Sequence, residues 1–177
     1  MTSLPERIAK TVRDIHDFPK KGIIFKDIAP ILKDISLFGD IINFLADKYS
    51  AAGVTKIAGI ESRGFLFGMP LALKMGVPFI PVRKKGKLPG ETVEVSYDLE
   101  YGSACIEVQS DAISAQDKVL IIDDLLATGG TAVASINLIK KLKGAPVAVA
   151  FVLELSFLNG RENLKNSGTE IFSILRY

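Results

Sequence analysis

Apolar residues recur along this chain with two different periods, and the way those periods alternate predicts an α/β fold. From Pro5 to Ile15, the residues Ile8, Val12 and Ile15 fall on one face of a short amphipathic helix. Phe18-Pro19-Lys20-Lys21-Gly22 breaks it. Ile23-Ile24-Phe25 is then a brief apolar stretch leading into Lys26-Asp27-Ile28. Asp34 or Ser36 is placed to cap a helix running to about Tyr49, with Phe38, Ile41, Ile42 and Leu45 inward, and Gly53 ends that segment. From there short apolar runs alternate with helical ones. Lys56 to Ile60 reads as a strand, Glu61-Ser62-Arg63-Gly64 as a turn, Phe65 to Met75 as a helix, and Pro78 to Val82 as a second strand. Val119 to Ile122 is a third strand, followed by a helix from about Thr131 to Leu142. Val147 to Leu155 is a fourth. Runs such as Val119-Leu120-Ile121-Ile122 have no polar face, so they belong inside a sheet covered on both sides. The predicted architecture is α/β: a central, mainly parallel sheet with helices on both faces.

The segment from Arg83 to Val108 departs from this rhythm. It opens with Arg83-Lys84-Lys85-Gly86-Lys87-Leu88-Pro89-Gly90 and takes on period-two character through Val93, Val95 and Tyr97. It turns at Tyr101-Gly102 and returns through Cys105-Ile106-Glu107-Val108. This predicts a long antiparallel excursion from the main sheet, and long excursions in compact domains are more often lids than accidents. The 177 residues fit one domain over 1–177, with an N-terminal hood over about 1–34 and the lid over about 83–108.

Composition narrows the class. Hydrophobic residues make up 48% and charged residues 24%, as in ordinary soluble globular proteins. A net charge of +2 is too small to argue for nucleic acid or an anionic membrane as a partner. No apolar run is long enough to span a bilayer, and Met1 to Arg7 lacks the apolar core of a signal peptide. The one cysteine, Cys105, excludes an internal disulfide framework and reads as a small, partly buried apolar residue. The expected compartment is the cytoplasm. With one histidine, His16, placed among turn residues, zinc sites and Ser/His or Cys/His catalysis have little material. No P-loop pattern and no dinucleotide-binding glycine fingerprint occurs.

What remains is a set of loops after strands. Asp123 and Asp124 follow a buried strand, where an α/β sheet places its ligands. Thr128, Gly129, Gly130 and Thr131 then offer hydroxyls and unobstructed N–H groups at a helix start, a natural anion site. The pattern suits the two ends of a sugar phosphate. In Glu61-Ser62-Arg63-Gly64, a serine, an arginine and a glycine in one tight turn suit a second phosphate. The cluster of Arg83, Lys84, Lys85 and Lys87 stands at the start of the excursion.

These residues resemble a known family. Val119 to Thr131 is similar to the phosphoribosyl pyrophosphate motif of the type I phosphoribosyltransferases. Phe18-Pro19, Gly22 to Ile28, Glu61 to Gly68, Arg83 to Gly90 and Ser96 to Gly102 resemble the adenine-specific branch, in order and over nearly the whole chain. Two departures stand out: Lys26 where arginine is usual, and Glu61 where aspartate is common.

The resemblance implies transfer of a phosphoribosyl group from phosphoribosyl pyrophosphate to adenine, giving AMP and pyrophosphate. It assigns Asp123 and Asp124 to the ribose hydroxyls and Ala127 to Thr131 to the 5′-phosphate. Glu61, Ser62, Arg63, Arg83 and Lys87 would hold pyrophosphate. Phe25 would stack on adenine opposite Leu155, with main-chain groups of Ile24 and Lys26 reading the base. Glu100 would be the acid/base at purine N7, on a lid that also carries Tyr101. Mg²⁺ would be held mainly by substrate oxygens, without a dedicated protein motif. A cis peptide at Glu61–Ser62 and a homodimer are also implied, with apolar residues near Phe65-Leu66-Phe67 contributing to the interface. Two alternatives stay open: another purine as acceptor, which Lys26 would suit if it met a 6-oxo group, and a non-catalytic sensor of phosphoribosyl pyrophosphate.

Overall fold

The computed structural model describes residues 2–98 and 102–177. In chain order the elements are α1 (Leu4–Thr11), β1 (Arg13–His16), β2 (Ile24–Asp27), α2 (Ala29–Lys33), α3 (Ile35–Tyr49), β3 (Lys56–Ile60), α4 (Arg63–Met75), β4 (Phe79–Lys84), β5 (Thr92–Asp98), β6 (Ser103–Gln109), β7 (Lys118–Leu126), α5 (Gly130–Lys141), β8 (Ala145–Glu154), α6 (Gly160–Leu164) and β9 (Glu170–Arg176). A seven-stranded sheet runs in the order β5-β6-β4-β3-β7-β8-β9. Its pairs from β4 through β9 are parallel, and β6 joins β4 and β5 antiparallel. This is the predicted α/β fold.

The central strands are buried on both faces because each face meets helices. Ile57, Leu120, Ile122, Ala150 and Val152 pack in one layer with residues of α3 and α4, such as Ile41, Leu45, Phe67 and Leu71. Ala58, Ile60, Val119, Ile121, Val149 and Phe151 pack in the other with α5 residues such as Ile136 and Leu138. Alternate residues of one strand therefore feed different layers, as a pleated strand requires.

Several elements differ from the sequence-based expectations. A Ser3 capping box with Glu6 starts the first helix at Leu4, and the helix stops at Thr11 because the chain turns extended at Val12 and Ile15 pairs with Phe25 in a hairpin instead. That hairpin, β1–β2, is a separate two-stranded sheet whose turn holds a cis Phe18–Pro19 bond. The excursion is less of a departure than its pattern suggests: β5 and β6 extend the main sheet at its edge, with Arg83 opposite Glu107. The strand β9 lies at the opposite edge and has no counterpart in the pattern-based reading. Asp34 caps α3 as expected, accepting from the Leu37 N–H at 3.0 Å. His16 is exposed, and Cys105 is half-buried.

Candidate active site

The site is built at the carboxyl ends of β3 and β7, and strand length decides its shape. β3 stops pairing with β7 at Gly59 opposite Ile122, whereas β7 continues against β8 with Asp123 opposite Phe151 and on to Leu126. The two aspartates are therefore inside a strand rather than after one. They still lie past the last β3 pairing, where they line a cavity, because β7 outruns its neighbour. Gly64, in the first turn of α4, allows this close approach: a Cβ there would stand 2.7 Å from the Ile122 carbonyl oxygen and 3.1 Å from Asp123 Oδ1.

A cavity of about 510 Å³ opens at this point, lined by Phe25, Glu61, Ser62, Arg63, Lys84, Asp123, Asp124, Leu125 and Ala127. The Glu61–Ser62 peptide is cis, as the resemblance implies. Arg63 Nε lies 3.0 Å from Asp124 Oδ2, and its guanidinium carbon is 5.2 Å from the centre of the Phe25 ring. The ion pair lacks hydrogen-bond alignment, so the buried Oδ2 of Asp124 remains without a donor among the described residues. A carboxylate oxygen left in this state is costly unless a ligand supplies the proton donor.

The electrostatics agree. Burial, and then the charge of Asp124, push the Asp123 carboxyl well above its ordinary range. Burial also raises Asp124, partly offset by Arg63. The pair is short of hydrogen-bond donors and positive charge in the free protein. Hydroxyl groups would supply the donors, and a cation the charge.

A smaller cavity of about 90 Å³ adjoins the first and shares Asp123, Leu125 and Ala127 with it. It is lined by Thr128, Gly129, Gly130 and Thr131 at the N-terminus of α5. Gly129 has φ +84°, a left-handed conformation, and a Cβ there would lie 2.7 Å from the Gly160 carbonyl oxygen. The loop is thus pressed against α6, with its Thr128 carbonyl accepting from Asn163 Nδ2 at 2.8 Å. With the positive end of α5 facing it, this cradle suits a phosphate-sized anion.

The basic loop is organised by two carboxylates. Glu61 accepts from the Lys84 N–H at 3.0 Å and pairs with Arg83 Nε at 3.2 Å. Burial resists its ionisation, but these donors outweigh it and hold the carboxyl below its usual range. Glu107, only 3% exposed, accepts from the N–H groups of Lys87 and Leu88, both at 2.8 Å, and from the Thr92 hydroxyl at 3.1 Å. Arg83 therefore stands beside the cavity, tied to Glu61. Lys84 lines it, and Lys87 reaches the network through its main chain while its side chain is exposed. Sequence reasoning passed over Glu107, although a lone acid inside the apolar run Cys105 to Val108 was the available signal. It also passed over Tyr97, whose hydroxyl is 2.9 Å from Thr131 Oγ1 and ties β5 to the anion loop.

The hood residues divide. Phe25 faces the large cavity, while Ile24, Lys26 and Leu155 line a separate apolar cavity of about 480 Å³ with Ile23, Phe157 and Tyr177. Successive residues of this extended strand point to opposite sides, so Phe25 faces one cavity and its neighbours the other. Glu100 and Tyr101 lie outside the described residues. Among the described residues no group of three or more His, Cys, Asp or Glu side chains is arranged to hold a metal, and no helix is long and apolar enough to cross a membrane.

Comparison with known proteins places this geometry. The profile of the phosphoribosyl transferase domain matches residues 30–173. An adenine phosphoribosyltransferase of Halothermothrix orenii is 52% identical over 169 residues, covering 96% of this chain and 98% of the relative. The crystal structure of adenine phosphoribosyltransferase from Thermoanaerobacter pseudethanolicus superposes with a TM-score of 0.94 at 48% identity, over 99% of this chain and all of the other. That of the Giardia lamblia enzyme, complexed with 9-deazaadenine, gives 0.92 at 36% identity, over 100% and 99% of the two chains. A paired-aspartate strand running into a glycine-bound anion loop, in a chain this similar to these proteins throughout, belongs to the phosphoribosyltransferase family and, within it, to the adenine phosphoribosyltransferases.

Proposed function

We infer that this chain transfers the 5-phosphoribosyl group of phosphoribosyl pyrophosphate to adenine, forming AMP and releasing pyrophosphate. The observation that carries the reading is the Asp123–Asp124 pair, its Asp124 Oδ2 without a donor among the described residues, in the wall of a cavity that holds Phe25 and adjoins an anion cradle. Asp123 and Asp124 accept hydrogen bonds from the ribose 2′- and 3′-hydroxyls, and their charge favours the cation-like C1′ that develops as pyrophosphate leaves. Ala127 to Thr131 wrap the 5′-phosphate. Ser62, Arg63, Arg83 and Lys87 hold pyrophosphate, with Glu61 bracing Arg83, and Lys84 joins them from the cavity wall. Phe25 stacks on adenine, main-chain groups of Ile24 and Lys26 read its edge, and Leu155 bounds the hood from the other side of β2. The N9–C1′ bond forms as the bond from C1′ to the pyrophosphate oxygen breaks. Glu100, near the tip of a lid over 83–108, handles the proton at N7, and Tyr101 beside it helps close the site against water.

Mg²⁺ fits the site: the two carboxyls of the acidic wall have a single guanidinium, Arg63, beside them, and a metal held chiefly by substrate oxygens needs few protein ligands. When bound, it neutralises the pyrophosphate leaving group. Adenine is favoured over a 6-oxopurine because Lys26 Nζ is engaged by both carboxylate oxygens of Asp14, at 2.7 and 2.9 Å, and so is not presented to a carbonyl.

The protein works as one catalytic unit over 1–177, with its hood at about 1–34, as a cytoplasmic homodimer in purine salvage. An outward stripe on α4 supports the dimer: Leu66, Met69 and Leu73 are 42%, 54% and 83% exposed. Phe67 does not belong to it, being fully buried. The test of function is incubation with adenine, phosphoribosyl pyrophosphate and Mg²⁺. AMP and pyrophosphate should appear together. AMP formed from hypoxanthine-free adenine at no rate above background, with substrate still bound, would instead indicate a sensor.

A further inference from the structure

The hairpin that carries Phe25 has little apolar burial of its own. β1 has one half-buried residue, Ile15, and in β2 no residue is fully buried. Position in such a hairpin must come from particular contacts with the body of the protein. One is built from three separate elements. Lys26 on β2 extends a side chain that is only 13% exposed, and its Nζ is held by both carboxylate oxygens of Asp14, its cross-strand partner on β1. The same ammonium lies 4.0 Å from the centre of the Tyr177 ring. Tyr177 follows β9 and is fixed by its main chain: its N–H donates to the Glu154 carbonyl at 2.9 Å, and its carbonyl accepts from the Ser156 N–H at 3.1 Å. Those two bonds bracket Leu155. Burial first, and the Asp14 charge second, hold the Tyr177 phenol above its ordinary range, so all three groups share one environment.

We propose that Asp14, Lys26 and Tyr177 form a clasp that positions the base-binding strand, with Lys26 and Tyr177 as positioning residues that set where Phe25 stands relative to Asp123 and Asp124. This rests on the reading of Phe25 as the adenine platform. A buried ammonium over an aromatic face is a short-range, directional contact. Without it the hairpin retains its internal ladder and the Arg13–Asp27 ion pair, which lie within the hairpin and do not fix it to the sheet. Lys26 and Tyr177 also line one cavity with Leu155, so the same contact joins the hood to the segment after β8.

The test compares Tyr177→Ala, Tyr177→Phe and Lys26→Met in the full chain. Tyr177→Ala and Lys26→Met should raise KM for adenine about three- to thirtyfold, the span from an exposed to a desolvated cation–π contact, with KM for phosphoribosyl pyrophosphate and Tm near those of the parent. Tyr177→Phe keeps the aromatic face and should behave as the parent. Amide exchange over residues 13–27, measured without substrate, should quicken in Tyr177→Ala and not in Tyr177→Phe. An unchanged KM for adenine, or equal rises in both KM values, overturns the proposal. If the parent makes no AMP, the adenine reading fails by itself. The exchange experiment then still decides the clasp, and equal exchange in all three chains removes it.

Discussion

Asp123 and Asp124 are harder to ionise in the folded chain than in the unfolded one. Each has an ordinary value of 3.8 that folding raises. The sign follows directly: below 3.8 both states keep the protons, and as pH rises toward the raised values the unfolded chain loses them first, so folding stability falls. At neutral pH the pair opposes folding. Asp123→Asn should therefore raise the Tm of the free protein, by about 2–4 °C for each kcal/mol relieved. It should also lower kcat/KM for phosphoribosyl pyrophosphate by about 10- to 100-fold, the range for losing a hydrogen bond to a charged group. Calorimetry with steady-state kinetics reads both, and a lower Tm with full activity would contradict both assignments. Glu100→Gln belongs at this scale too. It should lower kcat far more than it weakens binding of either substrate, and near-normal turnover would remove Glu100 from the mechanism.

At the level of elements, the anion loop depends on packing behind it as much as on its own residues. Gly129 takes a left-handed φ and faces the Gly160 carbonyl, so α6 is the floor of the cradle. Gly129→Ala combines a backbone cost of about 1–2 kcal/mol with a collision against main chain. It should lower Tm by several degrees and weaken binding of ribose 5-phosphate, as followed by titration calorimetry. An alanine variant with parental Tm and affinity would mean that the loop can move off α6 at no cost. The element boundaries were legible where a cap or an apolar run marks them, as at Asp34 and at Val119 to Ile122. They were misread where pairing partners decide. Ile15 keeps helical spacing with Ile8 and Val12, yet it lies in β1 because Phe25, ten residues later, completes a hairpin.

For the whole molecule, Asp117 locks the end of the sheet opposite the site. Burial resists its charge, but the Ser114 N–H and hydroxyl, Lys56 and Thr55 hold it down to about 2 from 3.8. A depressed carboxylate adds stability that is present above its unfolded value and lost as pH falls through the folded one. Stability should thus drop between pH 4 and 2, and Asp117→Asn should be less stable at pH 7 with a flatter curve over that window. Urea titrations at several pH values give the slope. The proposed dimer is tested at the same scale: Leu73→Glu should shift sedimentation from dimer to monomer, and a monomeric parent at micromolar concentration would rule the dimer out.

The sequence by itself determined the α/β class, the sheet's buried strands and the residues of the paired aspartates and the anion loop, because these are local: period, adjacency and a short loop hold all the information. Only the tertiary structure decided that β7 outruns β3 and so sets Asp123 and Asp124 in the cavity wall, that Phe25 and Leu155 border different cavities, and that Lys26 is held by Asp14 and Tyr177. Relative strand length, the face a side chain takes and the partner of a charge are set by residues far apart in the chain. No spacing along one segment can encode them.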